Sequence, residues 1–178
     1  GCENNKLSIA TSADRAYGRV LRAEWVFGSF ARVKSQNYKH AKSSGFSEQI
    51  AREVALKPHL NIGVFALEAN ASHWEVWQKN LREALKSGKI WGSEQIAMNI
   101  TIYHDGLNVE ILPAYCNWTL TEALKFDKEK NTLVEPYLPN NQIGIVHFAG
   151  KNNDNIRSDK NFISKVEATD GSLSLIHI

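Results

Sequence analysis

Apolar residues fall along this chain in short runs separated by polar, glycine-marked stretches, and the spacing within each run predicts its element. Lys6–Ala10 (KLSIA) reads as a strand. Residues 61–67 (NIGVFAL) have the pattern of a buried strand, and residues 109–114 (VEILPA) read as another. Residues 143–150 (IGIVHFAG) form the next strong apolar run, read as a buried strand closing on a glycine turn with His147 in its middle. Between the strands the period changes. Ser47 can cap a short helix that carries Ile50, Val54 and Leu56 and stops before Pro58. Ser72 and Glu75 make a capping box ahead of Trp74, Trp77, Leu81 and Leu85 at helical spacing, with Gly88 placed to end the helix. Ser93 can cap a further helix, Glu94–Tyr103, with Ile96, Ile100 and Tyr103 in one stripe and Gln95 and Asn99 on another face. Strand, helix, helix, strand, strand predicts an α/β fold with a mixed sheet flanked by helices.

Residues 11–45 break this regularity. They are polar and basic, carry Tyr17, Trp25, Phe27, Phe30 and Tyr38, and are interrupted by glycines. A long loop with short helical pieces is the reading, and such loops are commonly functional. A solvated face is the ordinary explanation of its charge; docking of an acceptor or peripheral contact with a membrane surface is the functional one. The ends bear on completeness. The chain opens with Gly1 and enters a strand almost at once, with nothing upstream to pair it. Residues 171–178 (GSLSLIHI) resemble translated adapter sequence, with an ordinary C-terminal strand as the alternative. The expectation is one domain over residues 1–178 that is a fragment of a longer chain.

Composition narrows the classes. The 178 residues are 43% hydrophobic and 22% charged, with a net charge of +2, so nothing marks nucleic acid as a partner. Two cysteines, Cys2 at the extreme end and Cys116, favour a reducing compartment, and no signal peptide or bilayer-length apolar run is present, so the expected location is cytoplasmic. The motifs H-E-x-x-H, C-x-x-C, G-x-S-x-G and G-x-x-x-x-G-K-[ST] are absent.

Several polar residues stand where periodic segments begin or end: Asn61 and Gly63, Glu94 and Gln95, Asn117 and Trp118, and His147. Ligands of α/β sheets bind outside the carboxyl ends of strands, so a shared cleft is possible. Each residue has an ordinary alternative. Glu94 suits a helix N-terminus, Asn117-Trp118 a loop with a packed indole, Trp74 and Trp77 a core, and His147 a satisfied core histidine rather than a metal ligand.

The order NIGVFAL, HWEVWQ, WGSEQIAMN, LPAYCNW, IVHFAGK over residues 60–151 resembles the C-terminal half of a GT-A fold glycosyltransferase, close to the bacterial glycosyltransferase family 8-like enzymes. Residues 7–17 (LSIATSADRAY) also look like the strand and loop that follow that family's metal motif. The resemblance implies a partial GT-A-like fold and, in the complete protein, a retaining transferase that uses a nucleotide-sugar donor. It implies His147 as a ligand of a divalent cation, usually Mn²⁺, and Gly150 and Lys151 against the donor diphosphate. Glu94 and Gln95 would lie near the transferred sugar, Asn61 and Gly63 in the same cleft, and Asn117 and Trp118 on the acceptor side. The acceptor, whether polysaccharide, lipid-linked glycan or protein, is left open. The chain is expected to depart from the family in four ways: no Asp-x-Asp stands upstream, Glu94 replaces Asp, Lys151 precedes Asn152-Asn153, and the N-terminal half of the family's fold, which holds the nucleoside, is absent. The piece is therefore expected to be inactive alone. A non-catalytic carbohydrate-binding or structural relative is the second reading, and a small metal-dependent hydrolase built on His147 the third.

Overall fold

The computed structural model describes residues 6–11, 35–87, 90–119, 123–148, 158–159 and 163–177. Within them the chain is mixed α/β and falls into two units, Gly1–Leu112 and Pro113–Ile178. Parts of the 11–45 loop, together with Gly88, Gly150 and Lys151, lie outside the described residues; residues 35–43 are helical (α1).

The first unit is built on β1 (Leu7–Thr11), β2 (Leu60–Ala66) and β3 (Val109–Leu112). The sheet order is β2-β1-β3, antiparallel then parallel, so the sheet is mixed. The partners sought upstream of β1 lie downstream, on both its flanks. β2 departs from the buried pattern expected of it: among the described residues it is a flanking strand, with Gly63 and Ala66 exposed.

Among the described residues of the first unit, three helices follow α1: α2 (Glu48–Ala55), α3 (His73–Ser87) and α4 (Ile90–Tyr103). Ser47 caps α2, its hydroxyl accepting the Ile50 N–H at 3.2 Å. Leu56 does not join the buried face of α2 and is 72% exposed. α4 is the central layer. Residues 96–102 are buried without interruption, so the helix is covered on every side. Ile96 and Ile100 face a helical cluster with Ala41, Phe46, Ala51, Val54 and Ala84. Met98 and Ile102 face the sheet, with Leu7, Ile9 and Leu60. Full burial of such side chains contributes about 1.5–3 kcal/mol each. The stripe Ile96, Ile100, Tyr103 is thus the helical half of a two-sided core. Tyr103 packs against both clusters, and burial pushes its hydroxyl up to about 12.

α3 corrects the expected face. Its buried residues are His73, Asn80 and Ala84, while Trp74 and Leu85 are partly exposed. Polar residues can line the core side because they are bonded there. The Asn80 amide donates to Thr101 Oγ1 at 3.0 Å and Asp105 Oδ2 at 2.6 Å, and His73 Nε2 meets the Asn108 carbonyl at 2.9 Å. Trp74 and Trp77 form an aromatic group with Phe65, ring centres 5.8–6.0 Å apart.

The second unit has shorter strands. β4 (Trp118–Thr119) follows a 3₁₀ turn at Ala114–Cys116 and pairs in parallel with β7 (Val146–His147). A further sheet has the order β6-β5-β8-β9, from β5 (Lys125–Asp127), β6 (Thr132–Val134), β8 (Ile163–Ala168) and β9 (Leu173–His177). The long buried strand expected over 143–150 is not formed. The described ladder there is the two residues of β7, both half-buried; Ile143 is held by its N–H to the Leu133 carbonyl and Ile145 is 45% exposed. Residues 173–177 of the tail form a strand, hydrogen-bonded antiparallel to β8.

Candidate functional site

In the first unit the predicted residues gather at one edge of the sheet. β1 and β3 run parallel, with Ala10 beside Leu112, so both end at the same edge; β2 starts there, with Leu60 beside Thr11. Between the pairs Ile9–Phe65 and Thr11–Leu60, β1 advances two residues and β2 five. Residues 61–64 therefore leave the ladder as a bulge. Bulges re-aim side chains and are frequent beside active sites. Asn61 and Gly63 are in this bulge, and the Asn61 carboxamide accepts the Gly63 N–H at 3.0 Å, supplying a bond the ladder does not.

α4 reaches the same edge. The Asn99 carboxamide accepts the Leu60 N–H at 3.1 Å and donates to the Gln95 carbonyl at 2.8 Å. The Gln95 side-chain amide is hydrogen-bonded to Nε2 of His59, two residues before Asn61. Asn99 is fully buried, so its bonds tie helix to strand inside the core. The placement of Glu94 differs from expectation. α4 extends back to Ile90, and its first turn carries no acidic residue. Gly92 within that turn has φ +87°, a left-handed conformation that a side chain would strain, and an added Cβ there would meet the His40 ring at 3.5 Å. The Glu94 carbonyl accepts the Trp77 indole N–H at 3.0 Å, which joins α3 to α4.

In the second unit Asn117, Trp118 and His147 come together. Trp118 is opposite Val146 and Thr119 opposite His147, and the Trp118 N–H donates to the Ile145 carbonyl at 2.9 Å. The neighbouring Gly144 N–H donates to the Tyr115 carbonyl at 2.8 Å, so the turn before β4 and the segment before β7 are stitched at two points. Both strands end at Thr119 and His147, which puts His147 at a carboxyl edge too. Asn117 and Trp118 are buried; the thiol of Cys116, half-buried beside them, is pushed up by burial.

A metal centre is not assembled by these residues. Among the described residues no three of His, Cys, Asp and Glu are grouped so as to hold a metal ion, and His147 is a single candidate ligand. Among them, too, no helix is long and apolar enough to cross a membrane.

Sequence reasoning missed His59 and Asn99 as partners of the site. Neither has a local signature: Asn99 reads as the polar face of a helix, and His59 as a loop residue after Pro58. Comparison with protein-family models, with curated proteins and with solved structures found no match.

Proposed function

We propose that this chain contributes the acceptor-side portion of a nucleotide-sugar-dependent glycosyltransferase. What carries the reading is the carboxyl edge of the first unit's sheet: Asn61 and Gly63 leave the ladder beside a helix that brings Gln95 to the same edge. The ordered segments NIGVFAL, SEQIAMN, LPAYCNW and IVHFAGK support it. In this reading Asn61, Gln95 and Glu94 bind and orient sugar hydroxyls, and Asn117 and Trp118 border the acceptor. Gly150 and Lys151 face the diphosphate, where a lysine charge stabilises a leaving anion. His147 contributes one ligand to a divalent cation such as Mn²⁺, which supplies charge neutralisation when bound. The described residues do not complete that ligand set. The acceptor class, polysaccharide, lipid-linked glycan or protein, stays open in this reading, and the compartment proposed is the cytoplasm.

Binding rather than turnover is the test, because the proposal concerns a site. Titration calorimetry of the folded chain against a panel of nucleotide sugars with Mn²⁺ is expected to find one that binds, with affinity lowered in His147→Ala. A folded chain to which no member of the panel binds contradicts the assignment. A second reading, a non-catalytic relative of the same fold, is favoured by one observation: Gln95 already spends its amide on His59 as a tie between helix and strand.

A further inference from the structure

We propose that the indole of Trp74 is a stacking platform for a sugar ring, and that the acceptor is a carbohydrate chain reaching past the transferred sugar along the outer flank of α3. The proposal rests on the reading of Glu94 as a residue beside that sugar. Trp74 is a large apolar side chain that the core leaves out. Phe65 and Trp77 pack against the sheet-side cluster of Leu7, Ile9, Leu60, Met98 and Ile102. Trp74 lies outside them, its ring centre 6.0 Å from that of Phe65 and 5.8 Å from that of Trp77, and stays 37% exposed.

Both indoles are fixed by the main chain. Trp74 Nε1 donates to the Glu68 carbonyl at 2.8 Å, in the loop after β2, and Trp77 Nε1 donates to the Glu94 carbonyl at 3.0 Å. With its N–H engaged, what Trp74 shows to water is ring carbon already held in one orientation, which lowers the ordering a ligand must impose. Such a surface suits the C–H face of a pyranose, which is apolar while its rim carries hydroxyls. Polar groups for that rim stand beside the ring. Glu75 and Gln78 are exposed, and Gln78 is one helical turn on from Trp74. The Gln78 side-chain oxygen accepts from Arg82 at 3.0 Å; a guanidinium can only donate, so the Gln78 NH₂ is the end that can meet a hydroxyl oxygen. Continuity with the candidate site runs through Trp77, whose indole edge touches Glu94 and whose ring neighbours that of Trp74. The width of an indole thus separates Glu94 from Trp74. One sugar does not cover both; a chain does.

The indole ¹H–¹⁵N signal of Trp74, assigned by its loss in Trp74→Phe, is followed in the full chain while neutral trisaccharides of gluco, galacto and manno configuration are titrated in, each against its monosaccharide. The expected result is a saturable shift of the Trp74 signal with at least one trisaccharide, whose monosaccharide binds roughly tenfold more weakly. Trp74→Ala is expected to lose roughly tenfold in affinity for that trisaccharide, and Trp74→Tyr, which restores a ring, to recover most of it. A Trp74 signal that no trisaccharide moves overturns the proposal, as does a trisaccharide that binds no better than its monosaccharide or that holds Trp74→Ala as tightly as the parent. The parent titration decides even where Trp74→Ala fails to fold. Nucleotide-sugar binding is measured separately. A donor that binds while Trp74 stays fixed removes the carbohydrate platform alone, and a trisaccharide at Trp74 in a chain that binds no donor removes the transferase reading alone.

Discussion

The two units achieve order by different means. In Gly1–Leu112 a helix buried on all sides separates two apolar clusters, and Leu7, Ile9, Leu60, Ile96, Met98 and Ile100 are almost completely removed from water. In Pro113–Ile178 the strands are two to six residues long, and fewer large apolar side chains are buried. Local polar chemistry takes a larger share there. Asp127 accepts the N–H groups of Glu129 and Lys130 at the β5–β6 turn, Asp170 accepts from Ser172 at the β8–β9 turn, and buried Glu135 is bonded to Asn141 at 2.7 Å. The difference teaches where each predicted site residue gets its rigidity. Asn61 and Gln95 are held by a packed core, whereas His147 and Trp118 are held by a two-residue ladder and the turns around it.

Core substitution is the strongest way to break this contrast. Ile96→Ala is expected to cost about 2–5 kcal/mol in denaturant unfolding, with Ile143→Ala at or below the low end of that range. Equal costs would mean that the second unit also depends on a tightly packed core. Next comes the helix-to-strand tie. Asn99→Ala leaves the buried Leu60 N–H without its acceptor and is expected to cost about 1–3 kcal/mol, with amide exchange at Leu60 rising before the rest of the sheet. Exchange unchanged at Leu60 would show that another group takes the bond. Removing the α2 cap by Ser47→Ala should cost about 1 kcal/mol, seen as a lowered unfolding midpoint; no change would mean that packing alone holds the first turn of α2.

The smallest expected effect belongs to acid. Bonds from Ser172, the hydroxyl first, and then from Lys128 hold Asp170 at about 2 against an ordinary 3.8. A depressed carboxylate stabilises the fold above its ordinary value, and that contribution is lost as pH falls through the folded one. The β8–β9 turn should therefore loosen between about pH 4 and pH 2, visible in the amide shifts of Gly171 and Ser172. Asp127, lowered chiefly by the Lys130 N–H, should act in the same direction at the β5–β6 turn. Shifts that stay flat across this window would remove acid sensitivity from the contrast.

The elements whose periodicity agrees with their environment were legible in the sequence: the strand at residues 6–10, the Ser47 cap and the Ile96–Ile100 stripe. Legibility failed where burial and hydrophobicity part company. The buried side of α3 carries His73 and Asn80 because partners from other elements satisfy them, and no local pattern reveals such partners. The apolar run at 143–148 misled for the opposite reason: strand β6 engages Ile143 through Leu133 and the turn before β4 engages Gly144, leaving Ile145 partly exposed and a ladder of two residues. Of the candidate site, the bulge at Asn61–Val64 and the Gln95–His59 contact depend on pairing between distant segments. They emerge only from the fold.

The measurement that tests the account most directly is a titration of the nucleotide-sugar panel with Mn²⁺ into ¹⁵N-labelled chain, following the Trp118 indole and His147 ring signals. The account predicts that one donor moves both signals along a common saturation curve. Signals that stay fixed through the whole panel, in a chain whose spectrum is that of a folded protein, would contradict it.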